Sequence, residues 1–90
     1  MRDTQHFILQ VIEGIIEVME LDAADDIHGT TRLSQDLGFD SFLYVQLIMF
    51  MEDVIGDVHI DPASLTAENL FSVETLAAFC AQLANQRAAS

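Results

Sequence analysis

Ten consecutive residues, Phe42 to Met51, read FLYVQLIMFM and carry only Gln46 and the hydroxyl of Tyr44 as polar groups. A helix apolar on nearly every face must be covered on all sides or must leave a sticky surface in water. A chain of 90 residues has one core and too few other elements to wrap such a helix completely. Spacing sorts its residues. Leu47, Met51 and Ile55 fall on one stripe, with Tyr44 and Ile48 beside it, and are expected to face the core. Phe42, Leu43, Val45, Met49 and Phe50 then have less protein to cover them, with Met51 pointing inward and Met49 outward.

The helix is expected to start at Ser41 and end near Ile55, at Gly56. Asp40 precedes it, and Ser and Asp favour helix starts because their side-chain oxygens accept backbone N–H bonds that have no intrahelical partner. The positive end of the helix dipole attracts anions, so a phosphate ester on Ser41 would be well placed. Gly38, just before, is expected to allow a tight backbone approach, and Phe39 to pack the loop.

Two further amphipathic helices follow from periodicity. From Thr4 to Met19, Ile8, Val11, Ile12, Ile15, Ile16 and Met19 recur at threes and fours, with Asp3 or Thr4 as cap. Gly14 interrupts that helix at a cost of about 1 kcal/mol relative to Ala. Ser72 should cap a last helix running to Asn85, with Glu74 in its first turn and Val73, Leu76, Ala77, Cys80, Leu83 and Ala84 on one stripe. Between them, Leu21 to Asp40 is expected to form a long loop pinned by Ile27, Leu33 and Leu37. Asp61-Pro62 marks a break, and Leu65 to Phe71 has room for one short helical turn. The fold class is therefore all-α: a four-helix bundle of three longer helices and one short one, with a long loop between the first two. It is a single domain over 1–90, its core spanning about 4–85 and a frayed tail 86–90.

Composition excludes several classes. Fifteen Asp and Glu face three Arg and no Lys, for a formal charge of −12, which disfavours nucleic acid and anionic lipid and favours basic protein surfaces. At 51% hydrophobic residues the acidity does not signal disorder. Cys80 is the sole cysteine, so no intrachain disulfide forms; on the helical stripe it reads as a small buried hydrophobe. No apolar run approaches the roughly 20 residues a membrane span needs, and MRDTQHF has no signal-peptide pattern. The expectation is a soluble cytoplasmic monomer; its initiating Met and compact length point to a free-standing protein, and a domain cut from a larger synthase would look similar.

No catalytic or metal centre is expected. His6, His28 and His59 are far apart and lack ligand spacing. The aspartates around Asp22 to Asp26 and Asp53 to Asp61 do not fit a calcium-binding loop. Solvated loop charge is the better account of those aspartates. Gly38-Phe39-Asp40-Ser41-Phe42 is not the G-x-S-x-G of a serine hydrolase, and a helical domain offers no strand-to-helix elbow.

The run Asp36-Leu37-Gly38-Phe39-Asp40-Ser41-Phe42 closely resembles the attachment motif of acyl and peptidyl carrier proteins. Leu33, four positions before Leu37, matches a leucine those families often place upstream. NLFSVETLAAFCAQL resembles the last-helix region of carriers from polyketide and peptide synthesis. The resemblance implies an acyl-carrier-like bundle and a 4′-phosphopantetheine arm, drawn from coenzyme A and carried on Ser41. It implies that Asp40 helps a phosphopantetheinyl transferase position Mg²⁺ and coenzyme A; the residues by themselves also allow Asp40 to be a plain cap. The partners implied are that transferase and the enzymes that load, condense and release thioester intermediates in polyketide, nonribosomal peptide or fatty acid biosynthesis.

Carriers of fatty acid synthesis have a second helix rich in acidic residues, whereas here charge is confined to Glu52 and Asp53 near its end. Docking is therefore expected to rest on Phe42, Val45, Met49 and Phe50 as apolar anchors, with Asp40, Glu52 and Asp53 guiding encounter. The contrasting expectation is a helical adaptor that uses the same apolar helix to bind another helix and carries no arm.

Overall fold

The computed structural model describes residues 4–22, 27–56, 58–61 and 65–89, with side chains of 87–89 left out. Within them the chain is all-helical: α1 Thr4–Val18, α2 Leu33–Leu37, α3 Ser41–Ile55 and α4 Val73–Ala89. Helix α1 is the hub, packing most heavily on α4 and next on α3, while α3 and α4 touch little. Phe7, Val11 and Ile15 of α1 meet Leu47, Met51 and Ile55 of α3 and Val73, Leu76, Ala77 and Cys80 of α4 in one core. Each large side chain so buried contributes about 1.5–3 kcal/mol.

Glycine at position 14 permits the approach of α1 to α3. A Cβ there would lie 2.6 Å from Leu47 Cδ1 and 2.8 Å from Phe50 Cδ1. The propensity lost by an interior glycine is offset by the apolar contact it admits.

Helix α1 ends through two backbone bonds: the Leu21 amide donates to Ile16 O at 2.9 Å and the Glu20 amide to Glu17 O at 3.3 Å. This pairing needs a left-handed residue, a place usually taken by Gly. Here it is Glu20, at φ 55°.

The stretch between α1 and α3 is not the continuous loop expected from its lack of period. Ile27 and Leu33 are buried and Leu37 is partly so, as expected, but Leu33–Leu37 closes a short helix. Asp36 builds it: its carboxylate accepts the Arg32 amide at 2.8 Å and the Arg32 guanidinium at 3.1 Å. Those bonds, the backbone one foremost, hold the Asp36 carboxyl below its usual range. The segment is stitched to the start of α4 by a bridge between Arg32 and Ser72, with the Leu33 amide donating to Phe71 O and the Val73 amide to Thr31 O.

Leu65 to Phe71 holds the single turn it had room for, over 67–70, with the Leu70 amide donating to Thr66 O at 3.2 Å, while the short helix of the bundle is α2. Thr66 and Asn69 satisfy each other, amide to side chain in both directions, which closes one turn without extending it. Ser72 caps α4 as expected, its Oγ accepting the Thr75 amide at 3.4 Å. That helix then continues to Ala89, beyond the end expected at Asn85 and through most of the expected frayed tail. Asp3, Asp25, Asp26 and Pro62, to which sequence roles were given, lie outside the described residues. No described helix is long and apolar enough to cross a membrane.

Leu47 is fully buried and has nowhere to retreat. Gly14→Ala should therefore lose about 1 kcal/mol net, because overpacking costs about 1–3 kcal/mol against the helix propensity regained. Urea denaturation checks this, and a stabilised variant would contradict it.

Candidate functional site

Ser41 is the first residue of α3 and lies exposed at its open end. The start is set by Asp40, whose backbone is extended (φ −117°, ψ −178°) and whose Oδ1 accepts the Leu43 amide at 3.0 Å. Its carbonyl accepts the Tyr44 amide, the first bond of the helix. Behind it Phe39 is buried, with its ring 5.2 Å from that of Tyr44. The Tyr44 hydroxyl donates to Leu70 O at 3.4 Å, and burial pushes its pKa upward. The serine is thus held outward by an anchor on its inner side and a cap in front.

Gly38 acts differently from the expectation. A Cβ there would meet nothing within 4 Å, so no close approach requires the glycine. Its φ of 72° does, because it ends α2 in the left-handed conformation with its amide on Ser34 O. The left-handed turn allows α2 to stop and α3 to begin three residues later.

The rest of α3 divides as its spacing suggested. Leu47, Ile48, Met51 and Ile55 are buried. Phe42 is 67% exposed, Met49 58% and Val45 43%. Phe50 differs from the other three anchors, for it is half-buried and leans on the core over Gly14. Asp53 is exposed near the far end of the same face.

Glu52 is committed elsewhere. Its Oε2 accepts the Ile60 amide and lies 3.1 Å from His59 Nδ1, and Ile60 is buried. The carboxylate ties down the chain that leaves α3 rather than standing free to meet a partner. The pairing with residues 59 and 60 is tertiary and left no mark in the local pattern.

Sequence reading also missed the role of α1. Glu17 and Glu20, at its end, join Phe42, Met49, Phe50 and Asp53 around an open groove of about 620 Å³. A smaller cleft on another side is lined by Ser34, Gln35, Tyr44 and the 67–71 turn.

Cys80 is buried, and desolvation raises its thiol pKa to about 12, so it is a packing residue and not a thiolate at neutral pH. No group of His, Cys, Asp and Glu with metal-binding geometry occurs among the described residues. No protein-family model matches the chain, and no curated protein matches it in sequence.

If Asp40 sets the start of α3, Asp40→Ala should cost about 1 kcal/mol and Asp40→Asn, which keeps the accepting oxygen, only a few tenths. Chemical denaturation of both variants tests this, and equal losses would contradict a capping role.

Proposed function

We propose that the protein is an acyl carrier, with 4′-phosphopantetheine on Ser41 holding biosynthetic intermediates as thioesters for separate enzymes. The observation that carries this reading is an exposed serine at the first position of α3, directly after its aspartate cap, within DLGFDSF. When attached, the arm supplies the terminal thiol on which an acyl group is held.

The residues fit such a group. An exposed hydroxyl is open to a transferase, and the helix dipole favours a phosphodiester there. Yet Asp40 already takes the Leu43 amide, and its carboxylate repels a neighbouring anion. The phosphate would be tolerated and not clamped, which suits a tether that must leave the surface. The chain itself needs no catalytic residue in this role.

Phe42, Val45 and Met49 form an exposed apolar face beginning beside Ser41, placed to meet the transferase and the loading, condensing and releasing enzymes. Phe50 supports that face from the core side, and Asp53 supplies charge at its end. The cargo is a polyketide, peptidyl or fatty acyl intermediate, and the working form is a cytoplasmic monomer. The same face would serve a helical adaptor lacking an arm, and attachment decides between the two.

Incubated with coenzyme A, Mg²⁺ and a promiscuous phosphopantetheinyl transferase, the protein should gain the mass of one arm, and Ser41→Ala should gain none. No gain with several transferases, or gain in Ser41→Ala, would remove the proposal.

A further inference from the structure

The groove between the end of α1 and α3 has apolar walls and an acidic rim. Val18, Phe42, Met49 and Phe50 supply its apolar surface and Gln46 a polar side chain among them; Glu17 and Glu20 at the end of α1 stand on one side and Asp53 of α3 on the other. Among the described residues no basic side chain lines it.

The placement of Glu20 is costly to the fold. It occupies the left-handed position that ends α1, where glycine would relieve strain of order 1 kcal/mol. The carboxylate of this strained residue lies at the groove edge.

We propose that this groove docks a partner segment that presents one large apolar side chain flanked by arginine or lysine. The inference rests on the carrier reading for its biological setting and adds to it a second wall from α1 and a definite chemistry for the occupant. The argument is charge complementarity. Three carboxylates around one partly apolar groove make the local potential negative and so draw cations to it. A second copy of this chain is the wrong occupant, because a charge of −12 meets its own sign, the chain has no Lys, and of its three Arg, Arg32 is already paired with Asp36. An acidic or wholly apolar segment would leave the rim carboxylates unpaired or partly desolvated.

The probe is a fluorescein-labelled amphipathic peptide with a single phenylalanine flanked by arginines, titrated by anisotropy at moderate salt. Glu17→Gln with Glu20→Gln should weaken it about tenfold. The control pair Glu13→Gln with Glu68→Gln removes the same charge from surfaces outside the groove and should change affinity by less than about twofold. Met49→Ala should weaken binding while circular dichroism stays helical, and amide shifts should move at the end of α1 and along the exposed face of α3.

Equal losses in the two glutamine pairs would overturn the proposal, since attraction would then be to net charge alone. Undiminished binding in Met49→Ala, or shifts confined to another surface, would do the same, as would concentration-dependent self-association through this face. Because the assay does not involve Ser41, a serine that is never modified would end the carrier reading and leave the groove standing. A modified serine without groove selectivity would do the reverse.

Discussion

The close approach of α1 to α3 at Gly14 decides which part of an almost wholly apolar helix is covered. Leu47 lies against the glycine and Phe50 leans over it, so α3 is held with Met51 and Ile55 inward. Rotation about its own axis is then no longer free, and the surplus of apolar residues must emerge on the opposite side. Phe42, Val45 and Met49 are that surplus. A helix of ordinary amphipathicity would have placed charge there; this one places exposed apolar side chains there, with Glu17 and Glu20 at the end of α1 and Asp53 of α3 itself beside them.

The start of α3 depends on a second arrangement, more local than the first. Phe39 is buried, Asp40 turns its side chain back to the Leu43 amide, and Ser41 is the first residue beyond both. Anchoring on one side of the serine and capping at its front leave the hydroxyl toward solvent at the positive end of the helix. The bridge between Arg32 and Ser72 holds the preceding segment to α4, so the site rests on the bundle through three elements and not through α3 alone.

What could be read in the residues follows from the range of the forces involved. The long helices declared themselves because burial imposes a period of 3.6, and the inward turn of Met51, the outward turn of Met49 and the burial of Cys80 came with that period. Ser72 and Asp40 were legible because capping is a contact over three residues. Helix α2 was hidden, since five residues are too short to show a period; its signal was Asp36 four positions after Arg32, with Gly38 beyond Leu37. The commitment of Glu52 to Ile60 and the gathering of Glu17 and Glu20 beside α3 belong to tertiary structure, which no window of sequence contains.

A carrier without chemistry of its own is a consistent reading of these features: an accessible serine, an apolar face to meet partners, and acidic residues to bring them in. The account depends on what Ser41 bears in the cell. Peptide mass spectrometry of the protein isolated from its native cells is the most direct measurement. The account predicts phosphopantetheine on the peptide containing Ser41, with an acyl load released by hydroxylamine as a thioester is. A serine found unmodified throughout, in cells actively making the product that depends on this protein, would contradict it.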